Sequence, residues 1–307
     1  MTYIYIVFTY SPNRIRRNQF LATCFFVSDL HGSLPRYGKL FQIIAAERPQ
    51  VMFIGGDLLP SGLRAHFAPD TAHQDFINGY LVQQFSQLRH KIGDCYPRIF
   101  IIFGNDDCRS DEATALEADA RGVWEYIHDR RVQFDNFQIY GYSYVPPTPF
   151  RLKDWERYDV SRYVDPGCIS PEEGARSIPV TEHEIEYATI KGDLDRLTAQ
   201  DDLENAIFLF HSPPHKTNLD RAALDGKMID HVPLDPHVGS IAIRRFIESR
   251  QPCISLHGHI HESARLTGSW QDRLGRTYAF SAAHDGPELA LIRFELENPA
   301  GATRELI

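Results

Sequence analysis

The chain has 307 residues, of which 43% are apolar and 24% charged, the balance of a folded globular protein and not of a disordered one; its length admits one large domain or two ordinary ones. A net charge of −9 disfavours a protein that coats nucleic acid, because phosphate is repelled unless a basic patch or a bound cation reverses the local field. Five scattered cysteines, Cys24, Cys95, Cys108, Cys168 and Cys253, contain no CxxC pair and argue against a disulfide framework or a zinc knuckle.

The N-terminal run Thr2 to Tyr10 falls far short of the roughly 20 apolar residues of a membrane-spanning helix. Arg14, Arg16 and Arg17 follow that run instead of preceding it, and no small-residue cleavage site comes after, so it also fails as a signal peptide. A cytoplasmic protein is expected, with residues 1–20 a loosely packed leader and residues 21–307 a single domain.

Cys24 to Ser28 reads as a buried strand that stops at Asp29-Leu30-His31-Gly32. Leu34 to Glu47 places Leu40, Ile43 and Ile44 at helical spacing, and Pro49 closes it. Val51 to Ile54 is a second buried strand, ending in Gly55-Gly56-Asp57, and Gln74 to Ile92 carries an amphipathic helix through Phe76, Tyr80, Leu81, Phe85 and Leu88. Arg98 to Phe103 is a third strand, ending in Gly104-Asn105-Asp106-Asp107; Ser110 is placed to cap the next helix, with Asp111 and Glu112 in its first turn and Gly122 as its stop. Asn136 to Tyr144 alternates as a strand. The region at about 146–182 is rich in Pro, Arg, Asp and Tyr without a period, and reads as an insertion or lid. Glu184 to Leu197 is expected to be helical, Ala206 to Phe210 a strand ending at His211, and Ser240 to Arg250 a helix. Cys253 to Leu256 is a strand ending in His257-Gly258-His259-Ile260-His261, and strand signals follow at Ala264 to Gly268, Thr277 to Ala282 and Leu289 to Leu296. Strands alternating with helices imply parallel pairing and the later run of strands antiparallel pairing, so the expected class is mixed α/β with helices covering stacked sheets.

Five strand ends finish in residues that bind metals: Asp29 and His31, Asp57, Asn105, His211, and His259 with His261. The ends of buried strands in α/β sheets gather at one edge, where ligands bind. Carboxylate, amide and imidazole donors without a cysteine suit divalent first-row metals such as Mn, Fe, Zn, Ni or Co. Seven candidates are too many for one ion that keeps an open position, and about right for two ions that share a carboxylate.

The ordered blocks Asp29/His31, Gly56/Asp57, Gly104/Asn105, His211 and Gly258/His259/His261 resemble the calcineurin-like metallophosphoesterase superfamily over roughly residues 21 to 297. The resemblance implies a four-layer α/β/β/α sandwich and a dinuclear centre, with Asp29, His31 and His261 on one ion, Asn105, His211 and His259 on the other, and Asp57 bridging them. It also implies hydrolysis of a small phosphate ester, a phosphodiester or an activated monoester. Two divalent ions about 3.5–4 Å apart lower the pKa of a bridging water so that hydroxide can attack phosphorus in line.

One block departs from that pattern. The resembling family reads Gly-Asn-His, with the histidine assigned to protonating the leaving group, whereas this chain has Asp106 there. A carboxylate beside two cations is held ionised and is a poor acid unless its neighbour Asp107 raises its pKa. Asp106, Asp107 and His215 are therefore the candidate proton donors, and a substrate with a good leaving group that needs none is a further option; His215 and such a substrate are favoured together. Leu58-Leu59-Pro60 after Asp57 lacks the tyrosine of purple acid phosphatases and the Asp-Arg-Gly of protein phosphatases. His257 reads as a structural strand end and His284 as a surface turn. Arg151, Lys153, Trp155, Arg157, Arg162 and Tyr163 are either a basic and aromatic lid or a solvated charge run. Two other readings stay open: a scaffold that keeps the fold for partner binding, and a nuclease, whose basic groove is not visible at this net charge. No membrane partner is expected, and a homo-oligomer is left open.

Overall fold

Residues 22–61 and 75–307 are described by the computed structural model; the expected leader at 1–20 lies outside them. In chain order the first half runs β1 (Thr23–Val27), α1 (Leu34–Glu47), β2 (Val51–Gly55), α2 (Val82–Ile92), β3 (Arg98–Ile102), α3 (Glu112–Ala120), β4 (Glu125–Tyr126), β5 (Arg130–Phe134) and β6 (Phe137–Tyr142). The second half runs α4 (Glu182–Tyr187), α5 (Ile190–Thr198), β7 (Ala206–Phe210), β8 (Met228–Ile229), β9 (Val232–Pro233), α6 (Ile241–Arg250), β10 (Ile254–His257), α7 (Ser263–Thr267), β11 (Gln271–Leu274), β12 (Thr277–Ser281), β13 (Ala290–Glu295) and β14 (Asn298–Leu306).

Two six-stranded sheets result, ordered β14-β13-β1-β2-β3-β4 and β11-β12-β10-β7-β6-β5. The inner strands β1, β2 and β3 pair in parallel, as do β6, β7, β10 and β12, while β13, β14, β11 and β5 add antiparallel edges. Alternation along each strand divides the core. Cys24, Phe26, Val51, Phe53, Phe100 and Ile102 share one cluster with Ile139, Ile207, Leu209, Ile254, Leu256 and Phe280 of the second sheet. The intervening residues Phe25, Val27, Met52, Ile54, Ile99 and Ile101 instead join Leu40, Ile44, Phe85 and Leu88 on the covering helices. On the far side Phe208 lies 4.9 Å from Phe246 of α6. Both faces of these strands are therefore buried, which is why they read as continuous apolar runs. The protein is an α/β structure of two mixed sheets flanked by helices, and no helix among the described residues is long and apolar enough to cross a membrane. Cys24, Cys95, Cys108, Cys168 and Cys253 form no disulfide among the described residues.

Local chemistry sets most helix ends. Ser33 caps α1, its hydroxyl facing the Arg36 amide at 3.5 Å, and Arg48 closes it in left-handed geometry. Ser110 does not cap α3: Asp111 occupies that position, making no capping bond to the helix amides, and the Ser110 amide donates to Ser177 Oγ. The helix expected over Glu184–Leu197 is two helices. Extended Thr189 pairs with Tyr158 and accepts from the Gly192 amide at 3.1 Å, restarting the helix as α5. The strand expected at Ala264–Gly268 is the helix α7, built of good helix formers and stopped by Gly268 at φ 75°.

The stretch with no sequence period is packed against the core. Trp155 is fully buried, 4.8 Å from the His128 ring and 6.0 Å from Phe103. Lys153 and Glu156 form an ion pair with both side chains out of solvent. Arg157 lies 3.8 Å over the Tyr144 ring and pairs with Asp193 at 2.6 Å. Lys153, Trp155 and Arg157 are thus neither a lid surface nor a solvated run: their partners Glu156, His128, Tyr144 and Asp193 draw them inward. Arg162 pairs with Glu172 and Glu186, and Tyr163 and Arg151 are exposed.

Candidate metal centre

The loops that leave β1 and β2 are zipped together by backbone hydrogen bonds: the Asp29 amide donates to Gly56 O at 3.0 Å, His31 to Asp57 O at 2.8 Å and Gly32 to Leu58 O at 2.9 Å. The second sheet joins the same edge, with His211 Nδ1 2.8 Å from Gly55 O and the His259 amide donating to Asp29 Oδ1 at 3.0 Å. Asp29, His31, Asp57 and His259 all have positive φ, between 46° and 73°, a left-handed geometry that side chains with a Cβ seldom adopt. Gly56, at φ 96°, has no room for a side chain, because a Cβ there would stand 2.5 Å from His211 Nδ1.

These loops bring the seven sequence candidates into one cluster with two lobes. In the first, His31 Nε2 and His261 Nε2 are 3.2 Å apart, and His261 Nε2 is 3.2 Å from Asp29 Oδ1. One donor atom from each of Asp29, His31, Asp57 and His261 lies within 4.8 Å of the others. In the second, His211 Nε2 is 3.1 Å from Asn105 Oδ1, and the His211 and His259 rings are 5.2 Å apart. Asp57 belongs to both, its Oδ2 being 3.7 Å from His31 Nε2 and 3.4 Å from His211 Nε2. Asp29 and Asp57 are buried, as is His211.

The charges in this cluster hold one another. Burial opposes ionisation of Asp29, but the hydrogen bond and charge of His261 outweigh it and bring the carboxyl down to about 2. Burial likewise opposes Asp57, and His211 and His31 overcome it, holding the group far below the usual carboxylate range. Burial also works against the charged forms of His31 and His211. Asp106 with Asp57 and Asp29 raises His31 to about 9, and Asp57 with Asp29 raises His211 to about 9. His259, partly buried beside His211, is pushed down to about 3 by desolvation and the His211 charge. Two buried carboxylates thus favour positive charge at this point.

The three candidate acids occupy different surroundings. Asp107 is buried and accepts from the amides of Gly104 at 2.8 Å, Leu58 at 3.2 Å and Leu59 at 2.8 Å, tying the β2 and β3 loops together. Burial and the nearby Asp57 charge push it up to about 8 despite those three donors. Asp106 is partly exposed, with Oδ2 3.3 Å from His31 Nδ1 and Oδ1 accepting from Ser61 Oγ at 2.9 Å. His215, on the loop after His211, faces Asp220 at 3.8 Å and Asp235 at 4.0 Å. His257 is fully buried between Ser212 O and Ser255 Oγ, both at 2.9 Å, a packing role as expected. His284 pairs with Glu288 at 2.9 Å.

Two contacts had no signal in the sequence. Ser28 Oγ donates to Asp29 Oδ2, and Arg36 donates from Nη1 to Asp29 O at 2.6 Å and from Nη2 to Gly286 O. Arg36 sits on the first turn of α1, where an arginine is usually only a solvated helix residue.

Stacked mixed sheets carrying a buried Asp/His cluster at the ends of their parallel strands define an α/β protein with a candidate metal centre. The chain belongs to the calcineurin-like phosphoesterase family, whose model matches residues 23–263. No curated protein matches it significantly in sequence. Among solved structures, one crystal structure at 17% identity covers 93% of this chain and 99% of its own length, with a TM-score of 0.58. The protein TT1561 of Thermus thermophilus gives 14% identity, the same coverages and a TM-score of 0.52. A dimetal phosphatase from Danio rerio, LOC 393393, gives 12% identity over 90% of this chain and 93% of its own, at a TM-score of 0.48. At these identities the first two likenesses concern the fold alone.

Proposed function

We propose that the protein is a metal-dependent phosphoesterase that holds two divalent ions and hydrolyses a small phosphate ester, either a phosphodiester or an activated monoester. The observation that carries this reading is Asp57, whose Oδ2 is shared between His31 Nε2 at 3.7 Å and His211 Nε2 at 3.4 Å. The donor set fits the ions. Imidazole nitrogens and carboxylate oxygens converge on common points where hydrogen bonding alone leaves His31 Nε2 and His261 Nε2 facing each other. Nitrogen and oxygen donors without thiolate admit Mn, Fe, Zn, Ni or Co.

Asp29, His31 and His261 would hold one ion, Asn105, His211 and His259 the other, and Asp57 both. When bound, the pair supplies an acidified water as nucleophile and positive charge for the phosphoryl oxygens. The chain's own part is to preorganise the donors. Asp29 is fixed by Ser28, Arg36 and the His259 amide, and Asp57 by the Asp106 amide at 2.8 Å, so neither carboxylate is free to turn away. Cations at this edge would make an acidic chain locally attractive to an anionic ester.

The test is reconstitution of metal-free protein with manganese, followed by metal analysis and assay on a bis-aryl phosphate. About two ions per chain and metal-dependent hydrolysis are expected. Fewer than about one ion per chain together with no hydrolysis rejects the reading.

A further inference from the structure

The position where the family pattern has a histidine is occupied here by Asp106, and its contacts run toward the metal cluster. Asp106 Oδ2 lies 3.3 Å from His31 Nδ1, the ring nitrogen on the side away from the cluster, while His31 Nε2 faces His261 and Asp57. Its other oxygen accepts from Ser61 Oγ at 2.9 Å. Oδ1 thus accepts a hydrogen bond, and Oδ2 stands in ion-pair contact with the His31 ring. The Asp106 amide, independently of its side chain, donates to Asp57 Oδ1 at 2.8 Å.

We infer that Asp106 is a positioning residue for the metal centre and not the proton donor: with Ser61 behind it, it holds His31 as the tautomer protonated at Nδ1, with the Nε2 lone pair aimed at the first ion. The inference rests on the two-ion reading above and adds a residue outside the seven donors. A carboxylate on the distal nitrogen of a ligating histidine fixes the ring and makes its other nitrogen a better ligand; loss of such a partner typically costs 10–100-fold in metal affinity. Residue 106 divides two roles between its backbone and its side chain. The backbone keeps the shared Asp57 in place whatever the side chain is, so the side chain is free to serve His31. Asp107, three-fold anchored to backbone amides, has both oxygens committed to the loops.

The experiment compares wild type with Asp106→Ala, Asp106→Glu and Ser61→Ala, each first checked for an unchanged metal-free thermal midpoint. Manganese affinity is measured by competition with a chelator, and the His31 tautomer by long-range ¹H–¹⁵N spectra of the metal-free protein at a pH above about 9, where its ring carries a single proton. The expected result for Asp106→Ala is a 10–100-fold weaker first ion and loss of the Nδ1-protonated signature. Asp106→Glu should recover part of both, and Ser61→Ala should produce a smaller change in the same direction. Unchanged affinity and tautomer in Asp106→Ala would overturn the inference. So would a loss confined to kcat at saturating manganese that deepens with the leaving-group pKa of aryl phosphates, the behaviour of a proton donor. If no variant and not even wild type hydrolyses a phosphate ester, but the affinity shift is present, the inference stands and the hydrolase reading alone fails.

Discussion

Asp57→Asn isolates the charge of the shared carboxylate, because the amide keeps the shape and an oxygen for the Asp106 amide. Two imidazoles depend on that charge, His211 at 3.4 Å and His31 at 3.7 Å. At an effective dielectric of about 20, a unit charge at such distances is worth on the order of 5 kcal/mol. Raising an imidazole from 6.5 to about 9, as for both residues, takes roughly 3 kcal/mol, so Asp57 is large enough to supply most of the effect at His211, while Asp106 leads it at His31. In the metal-free variant His211, fully buried and left with the more distant Asp29, should titrate below its ordinary value. His31 should fall less, because Asp106 still faces it. In the reconstituted protein, manganese should drop from about two ions per chain to one or fewer, and kcat/KM on a bis-aryl phosphate should fall at least ~10³-fold, a loss of about 4 kcal/mol in transition-state stabilisation. Histidine ¹H–¹⁵N titrations and metal analysis read the two parts separately. Two ions bound as tightly as in wild type, with His211 still near 9, would refute the reasoning that Asp57 joins the two lobes.

Three further outcomes are expected. His215→Ala should slow an aryl phosphomonoester by about 10²-fold and a bis-aryl phosphate much less if His215 delivers the leaving-group proton; equal small effects on both substrates would remove it from that role. His257, depressed from 6.5 to about 3 by burial, is neutral in the fold but takes up a proton when unfolded below pH 6.5. Its contribution is complete above 6.5 and lost as pH falls toward 3, about 2 kcal/mol by pH 5, so His257→Gln should flatten the urea-midpoint slope between pH 7 and 5, and an unaltered slope would contradict this. Lys153→Met leaves Glu156 buried without its cation and should cost about 3 kcal/mol in urea unfolding, whereas the double change Lys153→Met with Glu156→Leu should recover much of it; equal losses would mean that the pair is not coupled.

The parts of the fold legible in the sequence are those decided locally. Helix α1 spans Leu34–Glu47 as the apolar spacing between Ser33 and Pro49 implies, since its cap and its stop are both within the segment. The site residues stood out because each buried strand halts at a polar residue whose burial needs a purpose. What stayed hidden depends on partners distant in the chain. Trp155 and Lys153 show no period because they pack against His128, Phe103 and Glu156 outside any regular element. β14 escaped notice because it is an edge strand with mostly exposed residues, so neither alternation nor apolarity marks it. The contact of Asp106 with His31 spans 75 residues, and nothing in either neighbourhood announces it.

The left-handed backbone at Asp29, His31, Asp57 and His259 shows how the fold supports the centre. Each such residue costs about 1–2 kcal/mol relative to an ordinary conformation, and none of the four is a glycine that would remove the cost. The conformations persist because the β1 and β2 loops bond to each other through three backbone amides, and because Asp29 accepts from the His259 amide of the other sheet. The first three bonds join amides and carbonyls at the strand ends, and the fourth holds the Asp29 carboxylate itself against the opposite sheet, so the docked strand ends bear the strain. The two sheets must therefore be docked before the donors converge. It follows that loosening the Phe26, Phe53 and Phe280 layer between the sheets should weaken metal binding from a distance, whereas a surface change on β14 should leave it alone.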